Sequence, residues 1–215
     1  MSSAGNLAAW LLEGAQSSGA GARAAMRQGD RHLTYDELGA QVGKLSAALR
    51  GLSLARGDRV LVLMQDTIEA AIAILGVIHA GGVAVPVSEL ATTDDVQEYV
   101  AHAGAVMAIV DESHEAVVDA VKTESPDLQH VVCVHAKLPG THDFDAIVAA
   151  ASPAAPVPIA CRANEPSIPR SRSSSSRSWS TRLPKAPSGS TSRSSTVTGS
   201  WPTRTASTST CSRAA

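Results

Sequence analysis

The sequence predicts an α/β fold: a parallel sheet with helices on both faces, followed by a tail of another kind. Three observations predict it. Short β-branched runs alternate with amphipathic segments of about ten residues from Arg59 to Ala151. Helix-start and helix-stop residues punctuate those segments. Beyond Glu165 the alternation stops and acidic residues vanish.

The first element is a short helix, with Asn6 as its cap and Leu7, Trp10 and Leu11 as its apolar residues, ending in the Gly- and Ser-rich stretch Gln16–Gly21. It reads as a helix that docks on something larger. Ala24–Gln28 and Arg31–Thr34 flank Gly29–Asp30, the pattern of a tight hairpin. Thr34 and Glu37 have capping-box spacing at the start of a helix from Tyr35 to about Arg50, with Leu38, Val42, Leu45 and Leu49 as its apolar stripe.

Strand and helix then alternate. Arg59–Met64 is an apolar strand, and Asp66–Glu69 opens an apolar helix that Gly81–Gly82 ends. Those glycines precede a strand instead of opening a helix after one, so they do not read as a dinucleotide loop. Val83–Val87 is a strand, Thr92 or Thr93 caps a helix through His102, and Ala105–Val110 is a strand. A helix over Glu115–Thr123, a strand over His130–His135 and a helix over Phe144–Ala151 complete the series. The acid pairs Asp94–Asp95 and Asp111–Glu112 are expected to cap helix starts, where the dipole favours negative charge, and not to do acid–base work. Strand alternation sends His130 to one face and Cys133 with His135 to the other, which argues against a shared metal, and no metal ligands are assigned.

Hydrophobic residues make up 44% of the chain but aromatics only 3%, so the core is expected to be packed with small aliphatics. The net charge of −2 conceals a division. All 20 acidic residues lie at or before Glu165 while eight of the 18 basic residues follow it, leaving −10 and +8 on the two parts. Cys133, Cys161 and Cys211 are odd in number and widely spaced, unlike a disulfide framework, and imply a reducing cytoplasm. No apolar run is long enough to span a membrane, and Leu7–Leu12 lacks the basic flank of a signal peptide.

Leu33–Leu38 (LTYDEL), Gly57–Met64 (GDRVLVLM), Glu69–Gly76, His79–Val87 and Thr92–Asp95, in that order, resemble the adenylate-forming superfamily of AMP-forming acyl- and aryl-CoA ligases, most of all its benzoate-CoA ligase branch. The resemblance runs from about Asn6 to Glu165 and implies that residues 1–165 are the N-terminal part of an AMP-binding domain. The complete family member would use ATP with Mg to convert a small, aromatic carboxylate to an acyl adenylate, and coenzyme A to release AMP and form a thioester. Its phosphates are surrounded by a glycine-bearing loop of the approximate form SGSTGxPKG, because backbone amides approach phosphate only where side chains are absent. At the corresponding place stands Ser178–Ala186 (SWSTRLPKA). Ser178, Ser180, Thr181, Pro184 and Lys185 fit that pattern, whereas Trp179, Arg182 and Ala186 occupy the three glycine positions. The segment is read as a degenerate remnant, with a chance match in a serine-rich stretch as the alternative.

Residues 166–215 are about one third serine, and a segment so poor in apolar residues is expected to be disordered. A frame disturbance near Ile168, and again near Lys185, would produce such a composition from GC-rich coding DNA. The resemblance thus implies an incomplete ligase, without catalytic residues of its own and binding none of ATP, Mg or coenzyme A. Two other roles stay open: a non-catalytic module that associates with a full-length ligase, or a nucleic-acid binder acting through the basic segment Ser171–Ser178. The latter is disfavoured because no aromatic residue or repeat accompanies that segment. No membrane association is expected.

Overall fold

A computed structural model of the chain describes residues 5–136 and 139–158. The first helix, α1 (Leu7–Ser17), begins at Asn6, whose side chain accepts from the Ala9 amide. Strands β1 (Ala24–Gln28) and β2 (Arg31–Thr34) form an antiparallel hairpin with Gln28 opposite Arg31. Helix α2 (Tyr35–Gly51) starts at the Thr34/Glu37 capping box.

The main sheet contains β3 (Arg59–Leu63), β4 (Val83–Val87), β5 (Ala105–Asp111), β6 (His130–Val134) and β7 (His142–Asp143). Their spatial order is β4-β3-β5-β6-β7, and all four neighbouring pairs are parallel. Parallel neighbours need crossover connections. These are supplied by α3 (Ile68–His79), α4 (Thr93–Ala103) and α5 (Glu115–Glu124), with α6 (Phe144–Ala150) following β7. The α/β class read from the alternation is the observed class.

Period-two alternation divides the core. Val60, Val62, Met107, Ile109, Val132 and Val134 face one side, where they meet the apolar stripes of α1, α2, α3 and α6. Leu61, Leu63, Ala108, Val110, Val131 and Cys133 face the other, under Val96 and Val100 of α4 and Val121 of α5. Helices α2 and α3 approach closely because position 76 is glycine: a Cβ there would lie 2.7 Å from Cδ2 of Leu45. Gly81 ends the α3 region with φ 87, a left-handed conformation that glycine adopts freely.

After α6 the chain crosses the outside of the α2–α3 layer as a strap. The Ala154 amide donates to the Gly43 carbonyl and the Val157 amide to the His79 carbonyl. Asn6, only 1% exposed, secures it. Its Nδ2 donates to the carbonyls of Ile78 and Val157, at 2.9 Å each, and of His79 at 3.3 Å. One side chain therefore joins the start of α1, the end of α3 and the strap.

Candidate functional site

In an open parallel sheet, ligands bind outside the carboxyl ends of the strands, at the point where successive connections leave in opposite directions. Here that point lies between β3, which leads outward to β4, and β5, which leads the other way to β6. The residues that follow these two strands define the candidate site.

Asp111, the last residue of β5, closes the gap. Its Oδ2 accepts from the Gln65 amide at 3.0 Å, and its Oδ1 accepts from the Ser113 amide at 3.2 Å and the Ser113 hydroxyl at 2.6 Å. His114 Nδ1 lies 2.6 Å from the same Oδ1, while its Nε2 lies 3.0 Å from the Glu89 carbonyl in the loop after β4. Burial works to raise the Asp111 carboxyl, but the donors of Ser113, Gln65 and His114 outweigh it and hold the group below the usual carboxylate range. Burial likewise works to lower His114, and the Glu89 carbonyl and Asp111 outweigh it and raise the imidazole. Each ring nitrogen thus lies within hydrogen-bond distance of an acceptor, and the ring ties three loops together. As expected, Asp111 caps a helical start, that of the 3-10 turn Glu112–His114, where the carboxylate accepts from the Ser113 amide. Helix α5 begins at His114 without a side-chain cap, because the short 3-10 turn Glu112–His114 moves the helix onward and the β3 and β5 loops use the carboxylate.

A second charged group lies at the α3 side of the same sheet. Glu69, in the first turn of α3, is 5% exposed. Its Oε1 accepts from Arg31 at 2.6 Å, linking the hairpin to α3, and its Oε2 has no hydrogen-bond partner. His135 Nε2 stands 3.8 Å from that oxygen and His135 Nδ1 stands 4.0 Å from Asp145 on α6. Burial opposes ionisation of Glu69, yet Arg31, the residue's own backbone amide and His135 outweigh it and lower the carboxyl. This placement corrects the expectation that His135 shares a face with Cys133. The strand ends at Val134, His135 has φ 61, and the turn carries the ring to the α3/α6 side. The expected separation of His130 from Cys133 does occur. His130 Nδ1 instead lies 3.2 Å from Nε2 of His142 on β7, and burial followed by its neighbour lowers the His130 imidazole. Among the described residues no group of three or more His, Cys, Asp or Glu is placed to hold a metal, and no helix is long and apolar enough to cross a membrane.

Sequence reasoning missed these clusters because their members come from six separate segments. The one available signal was the position of Gln65, Asp111 and His135 immediately after apolar strands. The candidate phosphate-loop residues Ser178, Ser180, Thr181 and Lys185, together with Trp179, Arg182 and Ala186, lie outside the described residues, as do Cys161 and Cys211. At the described edge the outward chemistry is that of carboxylates already matched by Arg31, His114 and backbone donors. That environment does not fit a triphosphate.

The family model described as AMP-binding enzyme matches residues 13–173. The chain belongs to this family. A 3-hydroxybenzoate–CoA/4-hydroxybenzoate–CoA ligase of Thauera aromatica is 40% identical over 78 residues, covering 36% of this chain and 15% of that protein. The solved structure of a benzoate CoA ligase from Burkholderia xenovorans LB400 matches 70% of this chain and 29% of its own, at 26% identity and a TM-score of 0.63. An anthranilate CoA ligase structure, at 20% identity and a TM-score of 0.64, shares the fold over 67% of this chain and 28% of its own. The chain therefore spans less than a third of each of these relatives. The match to the adenylate-forming family anticipated from LTYDEL and GDRVLVLM is the observed one.

Proposed function

We propose that residues 1–165 are the N-terminal part of an AMP-forming acid–CoA ligase, whose complete form activates a small aromatic carboxylate with ATP and Mg and passes the acyl group to coenzyme A. We further propose that the chain as written does not perform this reaction. The observation that carries the second reading is the coincidence of two breaks. The acidic residues stop at Glu165, and the phosphate-loop pattern at Ser178–Ala186 has Trp179, Arg182 and Ala186 at its glycine positions. Backbone amides cannot close around a phosphate where an indole and a guanidinium stem occupy the space. Support for the aromatic substrate is the likeness to hydroxybenzoate and benzoate CoA ligases.

The reading assigns residues 166–215 to an altered reading frame and not to a nucleic-acid-binding tail. The test has two arms. The coding DNA, translated in its other two frames from Ile168 onward, is expected to yield a glycine-bearing phosphate loop followed by further ligase-like sequence. The purified chain is expected to give no benzoate- or 3-hydroxybenzoate-dependent ATP–pyrophosphate exchange, whereas the frame-restored protein is expected to give it. Exchange by the chain as written, or the absence of a loop in every frame, refutes the proposal.

A further inference from the structure

Strand β7 lies at one edge of the main sheet and is only two residues long. It pairs with β6 alone, His142 opposite Val132 and Asp143 opposite Cys133. So short a ladder holds little by itself. Yet Asp143 is the cap from which α6 starts, and the strap follows α6. Whatever fastens β7 to β6 therefore also fixes the way into α6.

The register places two imidazoles beside that strand. Paired residues on neighbouring strands project to the same face of a sheet, and so do residues two apart on one strand. His142 therefore shares a face with Val132, and Val132 shares it with His130. Both histidines are half-buried, and their rings meet: His130 Nδ1 lies 3.2 Å from His142 Nε2. The ring centroids are 5.2 Å apart and the planes are tilted by 55°, so the two nitrogens lie on facing edges of rings that do not stack.

Two arrangements bring imidazole nitrogens this close, and they differ in where the protons sit. In a hydrogen bond one facing nitrogen carries a proton and the other accepts it, and 3.2 Å is at the long end of that range. In a chelate both facing nitrogens are bare, and the protons occupy His130 Nε2 and His142 Nδ1. Zinc–imidazole bonds are about 2.0–2.1 Å long, so two ligands at a bond angle of about 90–110° stand about 2.9–3.4 Å apart. The observed separation falls inside that interval without movement of either strand.

We propose that His130 Nδ1 and His142 Nε2 form a chelating site for a late first-row divalent cation such as zinc, which clips β7 to β6. Imidazole nitrogen suits such ions, whereas magnesium and calcium favour oxygen ligands. Among the described residues no third His, Cys, Asp or Glu joins the pair, so water completes the coordination and the affinity is modest. His130 opens β6, at the end of the strand away from the carboxyl edge that carries Asp111 and Glu69. The cation's role is therefore structural: it gives a two-residue strand a second attachment.

Heteronuclear NMR of the histidine rings in the full chain, at about pH 7.5, tests the proposal. The chain carries Cys161→Ser and Cys211→Ser so that their thiols do not compete, and Cys133 is fully buried. One equivalent of zinc is expected to shift His130 Nδ1 and His142 Nε2 together and to leave the exposed rings of His32 and His102 unchanged. In calorimetric titrations His130→Gln and His142→Gln are each expected to weaken zinc binding at least about tenfold, and His102→Gln to have no effect. Saturating zinc is expected to raise the melting temperature of the parent by about 3 °C or more, and magnesium is not. Zinc shifts confined to one ring or found at other rings, a His130→Gln or His142→Gln chain that binds as tightly as the parent, or no binding up to about 1 mM zinc overturns the proposal. Should either glutamine variant fail to fold, the ring shifts of the parent decide alone.

Discussion

Replacing His114 by leucine removes both ring nitrogens from the Asp111–His114–Glu89 lock while keeping an apolar side chain of similar bulk in a site only 7% exposed. The bond to Asp111 is charge-assisted and contributes about 1.5–3 kcal/mol, and the bond to the Glu89 carbonyl about 1 kcal/mol. The expected loss with His114 protonated is therefore about 3 kcal/mol. It depends on pH. His114 is raised in the folded chain, so its contribution is complete below the unfolded value of about 6.5 and disappears as pH rises through the higher folded value. Asp111 is lowered, so its contribution is complete above about 3.9 and disappears as pH falls through the lower folded value. Between about pH 4.5 and 6 both are present. Urea denaturation followed by circular dichroism at about pH 5.5 and about pH 9 measures the difference. The gap between parent and variant is expected to be about 3 kcal/mol at the lower pH and to shrink to about 1 kcal/mol at the higher, where neutral imidazole has a single donor. An equal gap at both values refutes the charged lock.

Asn6→Ala removes a helix cap and the donor to three carbonyls, with an expected loss of about 2–3 kcal/mol and earlier proteolytic cleavage in the strap. Asn6→Asp keeps the cap but not the donor, so an aspartate variant as stable as the parent would show that the strap bonds contribute nothing. Gly76→Ala sets a methyl group 2.7 Å, 3.0 Å and 3.2 Å from Cδ2, Cγ and Cβ of fully buried Leu45. Overpacking of about 1–3 kcal/mol outweighs the gain of about 1 kcal/mol in helix propensity, so thermal unfolding is expected to move down. A rise in melting temperature contradicts the close approach of α2 and α3.

Local features of the fold were legible because local physics decides them. Thr34 with Glu37 forms the reciprocal bonds its spacing predicts, and of the two candidate caps Thr92 and Thr93 it is Thr92 that caps α4, in a box with Asp95. Gly29–Asp30 gives the hairpin the register its length requires, and alternation along β3, β5 and β6 sorts their residues to two faces. What the sequence did not disclose depends on distance in the chain. Strand β7 is only two residues long and exists by pairing with β6, so it has no period of its own. His135 left its expected face because a single left-handed residue breaks the alternation, and no glycine marks the place. Asn6 could be read as a cap, but its bond to Val157 spans 151 positions and has no local signature.

The same distinction bears on where activity must reside. The strongly placed charges at the carboxyl edge of the described sheet are already engaged within the fold. Asp111 holds the β3 and β5 loops, His114 the loop after β4, and Arg31 with Glu69 the hairpin. Freeing any of them for a substrate would cost a buried hydrogen bond. A carboxylate-rich edge of this kind repels a triphosphate unless amides and cations from elsewhere screen it. In our reading those groups come from the segment that begins near Glu165, where the sequence loses its acids and substitutes its glycines. The two-sided core is formed by residues before position 158 and so does not depend on that segment. On the proposed reading, restoring glycine at 179, 182 and 186 within the present tail is expected to leave ATP–pyrophosphate exchange absent, because the sequence that follows is still not that of the family; exchange by the glycine-restored chain would refute that reading.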